Sequence, residues 1–294
     1  MGHTPKRSIS AFLAAVALLC LCSCSSEESE NKPLVVASFY PLYIFTLNVT
    51  KGADEIDVAV MSENNYGCLH DYTLTSQDMK NLSRCDVFII NGCGMESFTE
   101  QAAEASGDML IADTSVGTDT ISEDGEINAH IWLDPENACI QVRNITDALS
   151  QAFPEYSRLF NQNAANYTDR LRALSAEISQ ITSGVSGKAL SFHDGFDYIF
   201  RLTGIETAAV IPFDDGIRPG ARTLADLTDA AKNGDITFEA IPPLYDDPAA
   251  DLIASGSGIP VIELDPVTSG NISLTAYEDA MRLNAQKIKE GASK

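Results

Sequence analysis

Histidine, tryptophan and basic residues are scarce in this chain of 294 residues. It contains four histidines and one tryptophan, and 19 basic side chains face 42 acidic ones, for a formal charge of −23. An acidic surface repels polyanions and attracts cations only diffusely, so the composition argues against a nucleic-acid partner. After the first two dozen residues no apolar run approaches membrane-spanning length, and the body is therefore predicted to be soluble.

Motifs of the common hydrolases and nucleotidases are also missing. The sequence has no His-Glu-x-x-His helix, no Gly-x-Ser-x-Gly elbow and no Walker loop. These absences disfavour an enzyme. A zinc-dependent hydrolase stays open as an alternative, because three histidines around a metal with an open position can activate water.

The N-terminus has the features of an export signal. Lys6 and Arg7 precede an apolar stretch from Ala11 to Leu21, which is too short for a permanent transmembrane helix. The following Leu21-Cys22-Ser23-Cys24 resembles a bacterial lipobox, and cleavage before Cys24 would leave a lipid-modified cysteine. An ordinary signal peptide is the alternative. Loss of the signal removes Lys6 and Arg7 but no acid, so the formal charge moves from −23 to −25.

Four cysteines follow the signal, and their spacing matches neither a disulfide-dense scaffold nor a zinc knuckle. Structural cysteines or a single bridge are expected. Cys85 and Cys93 are close enough in sequence to be a candidate pair, whereas Cys68 and Cys139 have no obvious partner.

Short apolar runs alternate with helical stretches from Pro33 onwards, which is typical of α/β layers with parallel strands. Buried strands are predicted at Leu34–Ser38, Ile56–Met61, Val87–Asn91, Met109–Ala112, Ala189–Phe192, Thr207–Ile211, Thr237–Ile241 and Val261–Leu264. Helices are predicted at 41–51, 76–83, 95–105, 195–203, 222–233, 248–255 and 276–290. The acidic segment Asp113–Ile127 is predicted to be a mobile surface loop.

Between the two sets of strands, the sequence predicts two helices without Gly or Pro in their interiors. The first begins at Asp134-Pro135, with the aspartate as N-cap. The second begins at Pro154 and continues to Ser183, with an apolar stripe stepping by three or four residues. A helix of this length, about 43 Å, would run along both lobes as a stiff strut.

The predicted fold is therefore α/β, with two Rossmann-like lobes joined by one long rigid linker helix and a metal site in the cleft between the lobes. The predicted divisions are a signal peptide (1–23), a lipid-anchored tether (24–33), an N-terminal lobe (34–152), the linker helix (153–184) and a C-terminal lobe (185–294).

The three histidines beyond the signal all lie where a strand or loop gives way to a helix. These are His70, His130 and His193. Ligand sites of open α/β sheets form beyond the carboxyl ends of the strands, and neutral imidazole is a common ligand for zinc. Asp265 follows the last predicted strand and is a candidate fourth ligand. Asp71 and Asp194 could orient the imidazoles from behind, and Trp132 is expected to pack beneath His130.

Six segments, in order, resemble the zinc and manganese solute-binding lipoproteins of ABC importers, the ZnuA/TroA-like family. They are Val35-Val-Ala-Ser-Phe-Tyr-Pro-Leu42, Gly67-Cys-Leu-His-Asp-Tyr72, Asn91-Gly-Cys-Gly-Met-Glu96, Asn128-Ala-His-Ile-Trp-Leu-Asp-Pro135, Phe192-His-Asp-Gly-Phe-Asp-Tyr198 and Leu264-Asp-Pro266. The block around His130 is the most specific of them.

The resemblance implies a binding protein rather than an enzyme, with metal ligands His70, His130, His193 and Asp265. It also implies an extracytoplasmic lipoprotein, monomeric, that works with an ABC permease and ATPase. Manganese importers of this family tend to have an acid in place of the third histidine, so His193 favours Zn²⁺, with Mn²⁺ as the alternative.

Three features depart from the family pattern. The histidine-rich loop that often precedes the second ligand in zinc-type members is short and acidic here. The segment before the first histidine lacks the usual prolines and contains Cys68. The Glu-Pro-Ser turn typical of the second lobe appears as Arg218-Pro-Gly220. An adhesin or structural lipoprotein with incidental histidines is the remaining alternative.

Overall fold

The structure is a computed structural model. It describes residues 32–61, 72–105, 107–123, 125–211, 219–244 and 247–292. Residues 33–294 form one compact unit. Among the described helices, none combines the length and the apolar character needed to cross a bilayer. The predicted signal peptide and almost all of the predicted tether lie outside the described residues.

The N-terminal sheet has four parallel strands, which confirms the predicted α/β pattern. Its strands are β1 (Leu34–Ala37), β2 (Asp57–Val60), β3 (Val87–Ile90) and β4 (Leu110–Asp113), in the order β2-β1-β3-β4. The central strands β1 and β3 are buried throughout, as expected for near-continuous apolar runs in a sheet covered on both faces. The connecting helices are α1 (Tyr40–Thr50), α2 (Ser76–Leu82) and α3 (Thr99–Ala105).

The C-terminal sheet repeats this architecture. Its strands are β7 (Lys188–Ser191), β8 (Glu206–Val210), β9 (Phe238–Ile241) and β10 (Val261–Glu263), all parallel and in the order β10-β9-β7-β8. The helices are α6 (Phe196–Thr203), α7 (Ala221–Lys232), α8 (Pro248–Ser257) and α9 (Ala276–Ala292). The eight predicted parallel strands therefore all form, with ends that differ by a residue or two.

The prediction that Asp113–Ile127 is a mobile loop was wrong for part of this segment. An antiparallel hairpin forms from β5 (Ile121–Glu123) and β6 (Glu126–Asn128). Glu123 pairs in register with Glu126, and Gly125 just before β6 has a φ of 89°, a conformation that glycine adopts readily. The hairpin leads directly to a short 3₁₀ turn at Ile131–Leu133 and then to helix α4 (Pro135–Ala152), where the Asp134 side chain accepts from the Glu136 N–H as the predicted N-cap.

The long helix α5 (Ser157–Ile181) is somewhat shorter than predicted, because Pro154–Tyr156 forms a separate 3₁₀ turn. Its apolar stripe is buried as the spacing predicts, at Phe160, Ala164, Tyr167, Leu171, Leu174 and Ile178. Helix α5 packs against α1 and α4 on the N-terminal side and against α6 and α9 on the C-terminal side. It thus contacts helices that flank both sheets, as a strut does.

Polar contacts also fasten the C-terminal part to α1 and α5. The Arg170 guanidinium on α5 donates to the Glu278 carboxylate at 2.9 Å, to Asn48 Oδ1 at 2.6 Å and to the Leu274 carbonyl at 3.1 Å. The Tyr40 hydroxyl donates to the Asn271 carbonyl at 2.7 Å. The segment that follows Asp265 is therefore tied to the first helix of the chain.

The cysteine pair suggested by sequence spacing, Cys85 with Cys93, is wrong: both are free, as is Cys139. Cys85 precedes β3 and Cys93 follows it. A strand rises about 3.3 Å per residue, so β3 alone holds the two Cα atoms farther apart than the roughly 7 Å that a disulfide tolerates. Burial raises the pKa of the Cys85 thiol to about 12, which keeps it unreactive.

Two buried tyrosines that pack on the same Phe45 ring allow a test of the core. The Tyr167 hydroxyl has no hydrogen-bond partner within the described residues, whereas the Tyr277 hydroxyl donates to the Trp132 carbonyl at 2.7 Å. We expect Tyr167→Phe to leave the free energy of unfolding unchanged or to raise it, and Tyr277→Phe to lower it by about 1 kcal/mol. Urea unfolding of both variants measures the difference, and equal losses would contradict the assignment.

Candidate metal centre

His130 and His193 meet where the two halves of the fold adjoin. His130 follows hairpin strand β6, and His193 follows the carboxyl end of β7. Both side chains are buried, with 1% and 4% of their surface exposed, and their ring centroids are 4.7 Å apart. Two imidazoles that are far apart in sequence therefore lie against each other.

Asp194 is the acidic group next to these rings. Its carboxylate oxygens lie 3.5 Å from Nδ1 of His130 and 3.9 Å from Nδ1 of His193, and its side chain is about half exposed. Candidate ligand atoms of the three residues all lie within 4.8 Å of one another, and no other such group of three occurs among the residues that the structure describes.

The backbone around His193 approaches both rings closely. The Gly195 N–H donates to His193 Nδ1 at 3.1 Å and to Asp194 Oδ1 at 2.9 Å. A Cβ atom on Gly195 would lie 2.7 Å from Cγ of His130 and 2.8 Å from Cε1 of His193. Glycine at this position therefore lets the backbone lie directly against the two imidazoles.

Trp132 packs against His130, as expected from the sequence. The indole is fully buried, its ring centroid lies 5.0 Å from that of His130, and its Nε1–H donates to the Pro266 carbonyl at 2.8 Å. This bond joins the 3₁₀ turn after His130 to the segment that carries Asp265.

Asp265 lies near this assembly but is not in the group of three. Its Oδ1 accepts from the Val267 N–H at 2.7 Å, and its own N–H donates to the Asn284 side chain. Burial raises the pKa of the Asp265 carboxyl, and the hydrogen bond from Val267 opposes that rise. Val267 has a φ of 58°, an unusual left-handed conformation for a β-branched residue, and this conformation accompanies the turn that holds the carboxylate.

Of the four predicted ligands, the structure brings His130 and His193 together and leaves Asp265 outside their immediate group. His70 lies outside the described residues, as do Cys68 and Asp71. The ligand set therefore remains a prediction, and Asp194 takes the position behind the rings that the sequence suggests for an orienting acid.

A buried polar network behind His130 was not predicted. The Glu96 carboxylate accepts from Ser38 Oγ and from the N–H groups of Asn91 and Gly92. The Asn91 side chain donates to the Ala129 carbonyl at 2.9 Å, one residue before His130. Burial raises the pKa of Glu96, and its three hydrogen bonds oppose the rise. The Asn91-to-Glu96 motif was the sequence signal for this network.

The arrangement favours a borderline-soft divalent ion over a hard one. Nitrogen donors with a nearby carboxylate suit Zn²⁺ or Mn²⁺, whereas Ca²⁺ and Mg²⁺ prefer six or more oxygens, or an octahedral shell that includes water.

Comparison with known proteins agrees with this chemistry. A family model described as zinc-uptake complex component A, periplasmic, matches residues 35–291. The chain is 25% identical over 307 residues to the zinc-binding lipoprotein AdcA of Streptococcus pneumoniae, covering 97% of this chain and 61% of AdcA. It is 24% identical over 252 residues to the high-affinity zinc uptake system protein ZnuA of Bacillus subtilis, covering 79% and 78% of the two chains.

Solved structures show the same fold. The solute-binding protein FpvC of Pseudomonas aeruginosa, in complex with Mn²⁺, superposes with a TM-score of 0.78 over 90% of this chain and 99% of FpvC, at 22% identity. The chain spans about six tenths of the length of AdcA, so the likeness to AdcA concerns only part of that protein.

Proposed function

Since the chain belongs to the family of periplasmic zinc-uptake complex component A, we propose that it is the metal-binding component of an ABC importer. In this proposal the protein captures a divalent transition metal, Zn²⁺ in preference to Mn²⁺, and delivers it to a permease driven by an ATPase. The metal is cargo, and the site binds it without chemical transformation.

The observation that carries the proposal is the meeting of His130 and His193. Each comes from a different half of the fold, both are buried, and their rings are 4.7 Å apart. Imidazole nitrogens are common ligands of zinc, and two buried rings this close together can contribute ligands to one shared cation.

We further propose that the full ligand set is His70, His130, His193 and Asp265. Asp265 is one residue from Pro266, whose carbonyl accepts from the Trp132 indole beneath His130. In this proposal the Asp265 turn moves towards the two imidazoles when the metal binds and adds a carboxylate to them. The set then has three nitrogens and one oxygen, the combination that suits four-coordinate zinc.

The setting proposed for this activity is extracytoplasmic. Residues 1–23 would direct export, a lipid on Cys24 would anchor the protein to the membrane as a monomer, and residues 24–33 would form the tether. Stable membrane anchoring usually needs two lipid chains, and two chains on one cysteine would meet this need. Radiolabelled fatty acid incorporated into the protein but not into a Cys24→Ser variant tests the anchor.

Elemental analysis tests the proposed cargo. We expect protein purified without added metal to carry up to one equivalent of zinc, and equilibrium dialysis of the stripped protein to return one equivalent of Zn²⁺ even in excess Ca²⁺ and Mg²⁺. Stoichiometric manganese with weak zinc binding would reverse the metal preference. If neither metal binds stoichiometrically, the proposed function is contradicted. Turnover of ester or phosphate substrates by the zinc-loaded protein would favour the hydrolase instead.

Zinc should also raise thermal stability. A ligand that binds only the folded state stabilises it by about 2.7 kcal/mol at a free concentration 100 times its Kd. Differential scanning fluorimetry of stripped protein with buffered Zn²⁺ measures the shift in Tm. The same titration with Mg²⁺ is the control and should leave Tm almost unchanged.

A further inference from the structure

Asn128 forms a junction between the hairpin and the His193 segment. Its Oδ1 lies 3.1 Å from the His130 backbone nitrogen and 3.0 Å from Nδ1 of the His130 ring. Its Nδ2 donates to the Asp194 carbonyl at 2.9 Å. The backbone carbonyl of Asn128 accepts from the Tyr198 hydroxyl on α6 at 2.7 Å. One residue therefore contacts His130 on one side and the residues around His193 on the other.

These contacts fix the orientation of the Asn128 amide. A backbone N–H can only donate, so the atom facing the His130 N–H must be the amide oxygen. A backbone carbonyl can only accept, so the atom facing the Asp194 carbonyl must be the amide nitrogen. Two independent contacts agree, and a flipped amide would lose both.

The fixed amide in turn determines which nitrogen of His130 carries the proton. Because Oδ1 of Asn128 accepts, Nδ1 of His130 must be the N–H donor, and the Asp194 carboxylate 3.5 Å away favours the same arrangement. The lone pair of the neutral ring is then on Nε2. A metal ligand needs an imidazole whose other nitrogen is held by an acceptor of this kind.

His193 is arranged in the opposite way. Its Nδ1 accepts from the Gly195 N–H, which places the ring proton on Nε2 in this conformation. His193 must therefore move its proton before Nε2 can bind a metal, whereas His130 is already in the correct tautomer.

We propose that Asn128 is a positioning residue for metal capture, which holds His130 in the orientation and tautomer that a metal ligand needs. This inference rests on the proposed function. Asn128 does not itself bind the metal: its Oδ1 acceptor holds the His130 ring in one orientation and one tautomer.

The test compares Asn128→Leu with Asn128→Asp in the full mature chain. Leucine has a similar size but offers no acceptor, so we expect zinc affinity, measured by competition with a chelating dye, to fall by roughly 10 to 100-fold. Aspartate keeps the acceptor for Nδ1 and loses only the donor to Asp194, so we expect it to retain most of the affinity.

The visible absorption spectrum of bound Co²⁺ provides a readout that a loss of stability alone would leave unchanged, since it reports the geometry of the ligands. We expect Asn128→Leu to alter this spectrum and Asn128→Asp to preserve it. If the leucine variant does not fold, Asn128→Ala replaces it under the same criteria.

Three outcomes are decisive. Unaltered zinc affinity and an unaltered Co²⁺ spectrum in the leucine or alanine variant overturn the inference while the proposed function stands. An aspartate variant as weak as the leucine variant also overturns it, because the acceptor is then not what matters. Failure of the unsubstituted protein to bind zinc refutes the proposed function itself.

Discussion

Replacing His130 by alanine is expected to lower the affinity for Zn²⁺ by about 100-fold or more. Loss of the hydrogen-bond partner of a metal-bound histidine already lowers metal affinity by roughly 10 to 100-fold, and this change removes the ligand itself. The structure holds the His130 ring between Asn128, Asp194 and the Trp132 indole. Competition of the stripped variant with a chelating dye of known zinc affinity measures the effect.

The loss must be separated from unfolding, since the His130 side chain is 1% exposed and packs against Trp132. Thr203→Val is a suitable control. Thr203 is similarly buried and lies at the far end of α6, and within the described residues its hydroxyl donates to carbonyls of its own helix. We expect this control to keep wild-type zinc affinity. Unchanged affinity in the His130→Ala protein would remove the main support for the metal site.

Much of the fold could be predicted because local pattern and final structure agree. The apolar runs that form β1, β3, β7 and β9 are bounded by polar turn residues, and the stripe on α5 is buried at the residues that its spacing selects. The position of His193 could be anticipated because it follows a strand of a parallel sheet, where ligand sites form. His130 follows a hairpin strand instead, so its place beside His193 could be anticipated only from its position before a helix and from the resemblance of the block around it.

The hairpin and the partners of the rings could not be predicted for a physical reason. Strands β5 and β6 have three residues each and are polar, so no apolar alternation identifies them. Asn128 is chemically unremarkable in sequence, and its role depends on a carbonyl 66 residues later in the chain. Asp265 is a predicted ligand because of its strand-end position, and nothing in the sequence indicates that its Oδ1 accepts from the Val267 N–H or that it lies outside the group of three.

The second large effect is expected in the C-terminal sheet, at a buried glutamate unrelated to the metal. Glu239 on the central strand β9 is fully buried, and neither carboxylate oxygen has a hydrogen-bond partner in the described part of the chain. It is paired in register with Leu190 of β7, which belongs to the apolar cluster beneath α7 and α8. Burial, and to a lesser degree the charge of Asp251 on α8, raises the pKa of Glu239 to about 8.

The raised pKa makes stability depend on pH in a definite direction. An unfolded glutamate has a pKa of about 4.3, so the folded state binds the extra proton between that value and about 8. The stabilisation that accompanies this proton is complete at low pH and is lost as the pH rises through 8. For this residue alone, the free energy of unfolding should fall by roughly 2 to 3 kcal/mol between pH 6 and pH 9.

Glu239→Gln removes the charge while keeping the shape, so we expect the variant to lose this decline and to be more stable than the parent at pH 9. Urea unfolding of both proteins at pH 6 and pH 9, with a chelator present because zinc binding is itself pH-dependent, measures the difference. Glu206→Gln is the matched control, since Glu206 is on β8 of the same sheet but largely exposed. Parallel pH profiles for the parent and the Glu239→Gln protein would show that the buried carboxyl does not titrate in this range. The loss of stability at high pH would then come from the acidic surface rather than from Glu239.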